Sequence, residues 1–220
     1  MNILFVSLGC DKNLVDTEVM LGLLAEKGHQ MVDSEEMADV IVVNTCCFIH
    51  DAKEESIQTI LEMAEYKNNG TCKALIVTGC LAQRYKQEIL DEIEEVDAVL
   101  GTTSYDKIVE AIDGAIAGNK SLEMTDLDAL PKVESKRLVT TGGHFAYLKI
   151  AEGCDKHCTY CIIPKIRGNF RSVPMERLLK EAEQAIRGSG KKQGLALYGP
   201  IWALGGAVIT AAAWLATSLL

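Results

Sequence analysis

Three cysteines, Cys154, Cys158 and Cys161, fall within one short run, AEGCDKHCTYCIIPKIRG. Thiols this close cannot serve as a disulfide framework for a chain of 220 residues. They can converge on one soft metal centre. The C-x2-C half of the pattern is common to zinc and iron–sulfur sites. A zinc ion would draw a fourth ligand from His157 or His144. The remaining reading is three unrelated buried thiols.

The other five cysteines are spread out, yet three recur in one setting. Cys10 follows NILFVSLG, Cys46 follows ADVIVVNT and Cys80 follows KALIVTG. Each preceding run is short, apolar and β-branched, as in a strand buried on both faces of a parallel sheet. Each cysteine is followed by a helical pattern, the first ending at Gly28. Strand, cysteine and helix repeated three times put Cys10, Cys46 and Cys80 at the carboxyl ends of strands. Open α/β sheets bind ligands at that edge. A single cysteine there would need no function, because a small soft side chain packs well at a strand end; three at equivalent positions predict a shared site. Cys72 precedes its strand, at the opposite end of the sheet, and Cys47 is expected to point away from its neighbour Cys46.

The elements that would position these thiols are legible from the apolar pattern. Strands are predicted near 2–8, 39–44, 74–79 and 96–100, with a short one near 29–33, and helices near 12–27, 50–66, 82–95 and 104–117. Residues 1–117 thus read as a doubly wound parallel α/β sheet with helices on both faces. Residues 118–143 lack a sustained period and read as a linker. Residues 144–190 begin a second domain: a strand at 144–151, the cysteine loop, and a helix at 174–187 with Pro174 near its first turn. Together they make the first βα unit of a barrel. Residues 191–220 form an apolar tail. Its last twenty residues, 201–220, could cross a membrane at 1.5 Å rise per residue. A frame error, a tail anchor and a packed soluble segment are the three readings of it.

The amino terminus has no basic region before its apolar run, so it is not read as a signal peptide. Eight cysteines without secretion point to metal or redox chemistry in a reducing, cytoplasmic setting. A net charge of −9 argues against a surface for nonspecific nucleic-acid binding. Cations nonetheless gather from Lys149 to Arg171, with Lys156, Lys165 and Arg167 between them. They read either as a solvated loop or as charges that offset thiolates and seat a carboxylate. No Ser/His/Asp arrangement or phosphate-binding glycine loop suggests another catalyst.

The C-x3-C-x2-C order resembles the signature of the radical S-adenosylmethionine (SAM) enzymes. With VSLGCDKNLVDTE, VVNTCCFIHDAKEES, VTGCLAQRY and HFAYLKIAEGCDKHCTYCIIPKIRGNFRS, the chain is similar to the methylthiotransferases over about residues 2–187. That resemblance implies two 4Fe-4S clusters. Cys154, Cys158 and Cys161 would hold the one that binds SAM, and Cys10, Cys46 and Cys80 an auxiliary one. It implies methylthio transfer with radical chemistry and an electron donor such as flavodoxin or ferredoxin. SLGCDKNLVDTE and CIIPKIRG are similar to the branch that modifies an aspartate β-carbon of small-subunit ribosomal protein twelve, so that protein or the ribosome is the expected partner. The tRNA-modifying branch, which typically has tyrosine where this chain has Lys165, is the alternative, and an inactive iron–sulfur-binding fragment is a third reading. The family pattern stops after Arg187, so the 220-residue chain is expected to fold in its first domain and to lack activity by itself.

Overall fold

A computed structural model gives the fold, with residues 1–131, 133, 137–141 and 145–188 described. His144 and the apolar tail at 191–220, with every reading of that tail, lie outside the described residues. Six strands form one parallel sheet. They are β1 (Asn2–Ser7), β2 (Gln30–Val32), β3 (Val40–Thr45), β4 (Ala74–Gly79), β5 (Val96–Leu100) and β6 (Ser121–Glu123), in the order β2-β1-β3-β4-β5-β6. The connecting helices are α1 (Asp11–Glu26), α2 (His50–Asn69), α3 (Cys80–Tyr85), α4 (Gln87–Glu92) and α5 (Ile108–Ile116).

Strand periodicity sends successive side chains to opposite faces. Ile41, Val43, Leu75 and Val77 pack with Ile60 and Met63 of α2, Leu81 of α3 and Ile89 of α4. Val40, Val42, Ile76 and Ala98 pack with Met20 and Leu24 of α1 and with Ile108 and Ile112 of α5. Both faces are covered, as a doubly wound sheet requires. The expected strands at 2–8, 39–44, 74–79, 96–100 and 29–33 are all present. Gly28 closes α1 at φ 80°, its N–H donating to the Ala25 carbonyl at 2.9 Å.

Three local expectations differ. The helix read at 82–95 breaks at Lys86, whose φ of 48° separates α3 from α4 and returns Ile89 and Leu90 to the core that holds Leu81. Residues 121–123, inside the stretch read as linker, pair with β5 and add a sixth strand. The strand read at 144–151 is regular only at β7 (Ala151–Glu152), which pairs antiparallel with β8 (Arg171–Ser172). A barrel strand takes its ladder from parallel neighbours, and among the described residues β8 is the strand this segment pairs with. The chain between them carries α6 (Ile163–Arg167) and is followed by α7 (Met175–Gly188), directly after Pro174.

This second segment is docked on the sheet. Ile166 is buried in the same core as Leu81 and Val77, and its carbonyl accepts a 2.7 Å bond from the Thr102 hydroxyl beyond β5. Burying one isoleucine contributes about 2 kcal/mol, which fixes α6 against α3.

Candidate metal centre at the sheet edge

Strand order 2-1-3-4 reverses direction between β1 and β3, which makes their carboxyl ends the switch point of the sheet. Cys10 follows β1, Cys46 follows β3 and Cys80 follows β4, so the three thiols stand on adjacent strand ends. The turns that place them are glycine turns. Gly9 and Gly79 hold φ of 90° and 93°, open to glycine without strain. A β-carbon on Gly9 would lie 2.6 Å from Cys46 Cβ, and one on Gly79 would lie 2.5 Å from the Thr45 carbonyl oxygen. Only a bare backbone lets these strand ends approach one another.

Asn13, fully buried in the first turn of α1, stitches the edge together. Its amide donates to the carbonyls of Leu8 and Thr45, both at 2.9 Å, and its Oδ1 lies 3.7 Å from Cys80 Sγ. Asn44 donates to the Asn13 carbonyl at 2.8 Å and to Thr17 Oγ1 at 2.9 Å. Ser56 Oγ binds both the N–H and the carbonyl of Cys46, at 2.9 and 2.8 Å. Cys10 is exposed; Cys46 and Cys80 are buried. Burial pushes the Cys80 thiol up to about 11, against the pull of Arg167. Cys47 turns into the core, donates to the Cys80 carbonyl at 3.2 Å and is also raised by burial. Cys72 is buried at the far end of β4, its thiol on the Ala74 carbonyl at 3.3 Å.

The second trio lies on the loop after β7. Cys154 donates its N–H to the Gly168 carbonyl at 3.1 Å, and Cys161 donates to the Cys158 carbonyl at 2.9 Å. Cys158 is exposed, and Cys154 and Cys161 are half-buried. Between them His157 is exposed and left-handed at φ 47°. Asp155 caps the return of the loop, accepting from the Phe170 N–H at 2.7 Å.

A buried charge network joins the two loops. Arg167 Nη1 donates to Asp16 Oδ2 at 2.7 Å and to Glu152 Oε2 at 3.2 Å, and its Nη2 donates to Asn13 Oδ1. Lys149 pairs with Asp16 and with Glu152, the latter at 2.9 Å, and Lys12 reaches the Ala151 carbonyl at 3.0 Å. Burial works against both charges. Nevertheless Asp16 and its neighbours hold Lys149 protonated well above its ordinary range, and Lys149, Arg167 and Lys12 hold the Glu152 carboxyl well below its own. The cationic stretch therefore divides: Lys149 and Arg167 are buried partners of carboxylates, while Lys156 and Lys165 face solvent. Asp16, Glu152 and Asn13 escape a reading by sequence, because lone polar residues beside apolar ones look like a solvent face.

Among the described residues, only His50, Asp51 and Glu54 bring three ligand atoms within 4.8 Å of one another, all on the exposed start of α2. One tetrahedral zinc ion would hold thiolates about 3.8 Å apart, from Zn–S bonds of about 2.3 Å. A polynuclear cluster spreads its ligands further. The donor set at the sheet edge, three soft thiols on glycine turns beside a buried guanidinium, fits such a cluster.

Over the matched residues the chain is similar to methylthiotransferases. Residues 2–101 match the Uncharacterized protein family UPF0004. The chain is 65% identical over 192 residues to the ribosomal protein uS12 methylthiotransferase RimO of Lachnoclostridium phytofermentans, covering 87% of this chain and 44% of that relative. It is 52% identical over 182 residues to the protein of the same name from Desulforamulus reducens, covering 82% and 41%. For that of Acetivibrio thermocellus the identity is 50% over 195 residues, covering 86% and 43%. The chain thus spans less than half the length of these relatives. Among the described residues, no helix is long and apolar enough to cross a membrane.

Proposed function

We propose that the chain is the cluster-bearing part of a radical SAM methylthiotransferase acting on an aspartate of ribosomal protein uS12. Residues 1–123, which include the sixth strand, are the auxiliary-cluster domain, 124–143 the connection and 144–190 the start of the SAM domain. Cys10, Cys46 and Cys80 are ligands of one 4Fe-4S cluster, and Cys154, Cys158 and Cys161 are ligands of a second, which binds SAM. The carrying observation is the pair of thiol trios, one on adjacent strand ends and one on the C-x3-C-x2-C loop, bridged by Arg167. Support for the substrate comes from the relatives' names.

When bound, the clusters and SAM supply one-electron chemistry and a methylated sulfur, with electrons from a small donor such as flavodoxin or ferredoxin. The chain's residues hold and orient. Asn13, Asn44 and Ser56 fix the backbone that presents the first trio. The turn from Cys158 to Cys161 and the Gly168 carbonyl shape the second. Ile166, packed beside Leu81, keeps water from the back of the sheet edge. Eight free thiols suit the reducing cytoplasm.

Anaerobic reconstitution with iron and sulfide is expected to load about eight irons per chain. Replacing Cys154, Cys158 and Cys161 together with alanine should halve that number. Tightly bound zinc without acid-labile sulfide would refute the assignment. For the whole protein, mass analysis of uS12 against nucleoside analysis of tRNA separates the proposed substrate from a tRNA one.

A further inference from the structure

Arg167 reaches both thiol trios. Its side chain is 5% exposed and ends among Asp16, Glu152 and Asn13, and the Asn13 Oδ1 that accepts from it lies 3.7 Å from Cys80 Sγ. Its main chain leads directly to Gly168, whose carbonyl receives the Cys154 N–H at 3.1 Å.

The charges around it do not balance by themselves. Asp16 and Glu152 meet three cations, Lys12, Lys149 and Arg167, and Lys149 alone already bonds both carboxylates. One positive charge is in surplus across the network, and the guanidinium is the cation that extends to the sheet edge, through Asn13 Oδ1. The donors available there are also few. Both amide hydrogens of Asn13 are committed to Leu8 and Thr45, and its Oδ1 can only accept. A metal-bound thiolate at Cys80 likewise only accepts. Arg167 has five N–H groups in a rigid fork, which can serve Asp16, Asn13 and a sulfur together.

We infer that Arg167 is a positioning residue of the Cys10/Cys46/Cys80 site, donating to the Cys80 sulfur once it is a metal ligand and locking that site to the C-x3-C-x2-C loop. The inference rests on the iron–sulfur reading above. A cation donating to a ligand sulfur raises the reduction potential of a cluster and tightens its hold.

The test uses the full chain with Cys154, Cys158 and Cys161 replaced by alanine, reconstituted anaerobically so that the remaining signal comes from the sheet edge. Chelator resistance and the midpoint potential, followed by electron paramagnetic resonance, are read for the parent, Arg167→Met, Arg167→Lys and Lys149→Met. Arg167→Met is expected to hold iron about 10–100-fold less tightly and to shift the potential negative. Arg167→Lys keeps the charge without the fork and should recover only part of the loss. Lys149→Met removes a cation from the same network without touching Asn13 or Cys80; it should lower stability and leave the potential near the parent's.

A parent-like Arg167→Met, or an equal shift in Lys149→Met, would overturn the inference. If Arg167→Met does not fold, Arg167→Lys decides, because a single ammonium cannot serve Asp16 and the Asn13–Cys80 side together. Parent-level chelator resistance in that variant would overturn it. Failure of the parent to take up any iron and sulfide would instead sink the iron–sulfur reading itself.

Discussion

At the sheet edge, Cys46 and Cys80 are buried and their flanking backbone is held by Asn13, Asn44 and Ser56 from the core. On the loop at 154–161, the thiols are exposed or half-buried, and the shape rests on short backbone turns and one exposed carboxylate, Asp155. The backbone around the first group of thiols is held by the fold itself. The second has few tertiary bonds of its own, so a bound metal would supply much of its order. Burial and hydrogen bonding, more than the number of thiols, separate a preformed site from one that its ligand completes.

The sharpest way to break this contrast is to remove one polar side chain from each site. Asn13→Ala removes the amide that donates to the half-buried Leu8 and buried Thr45 carbonyls and is expected to cost about 3 kcal/mol by denaturant unfolding. Asp155→Ala, on an exposed bond, is expected to cost under about 1 kcal/mol. Equal losses would mean that the loop is as firmly built as the edge.

Alkylation of the metal-free chain, followed by mass spectrometry, sharpens the same point. Cys10 and Cys158 should react first at about pH 8, and Cys80 last among the six candidate ligands. Raising that thiol from 9.0 to about 11 leaves roughly a hundredfold less thiolate, beyond the protection of burial. The gap should close as the pH rises toward 11. A Cys80 that labels as fast as Cys158 would show an open edge.

A further effect is expected on the acid side. Glu152 is held below its ordinary value of 4.5 in the folded chain, so its contribution is full above that pH and is lost as the pH falls. Glu152→Gln should therefore flatten the decline in stability below about pH 4.5 by roughly 1 kcal/mol, seen in unfolding curves at stepped pH. An unchanged acid limb would mean that other carboxylates hold the second segment down.

The sheet and its thiols were legible because strands buried on both faces are written as unbroken apolar runs, VIVVNT and ALIVTG, each ending on a cysteine or one residue from it. Residues Ser121–Glu123 escaped because a three-residue edge strand with two polar members has no such signature. The break at Lys86 escaped because a left-handed lysine carries no glycine to announce it. Most of α1 is hidden too: Asn13, Asp16, Thr17 and Glu18 are all buried. Their spacing resembles a solvated face; Asn13 and Thr17 find partners at the neighbouring strand ends, while Asp16 and Glu18 are paired by Arg167, Lys149 and Arg137 from beyond residue 130. Tertiary pairing over such distances leaves no local trace.

The placement of Cys10, Cys46 and Cys80 on three parallel strands also sets an order of events in time. Cys10 and Cys80 are 70 positions apart, whereas Cys154 and Cys161 are seven apart. Closing the longer span costs about 2 kcal/mol more chain entropy, and parallel pairing of distant strands is slow. The loop can meet a metal ion while the chain is still unfolded. The sheet edge brings Cys10, Cys46 and Cys80 together only after β1, β3 and β4 have paired, so the cysteines synthesised first are the last to be brought together.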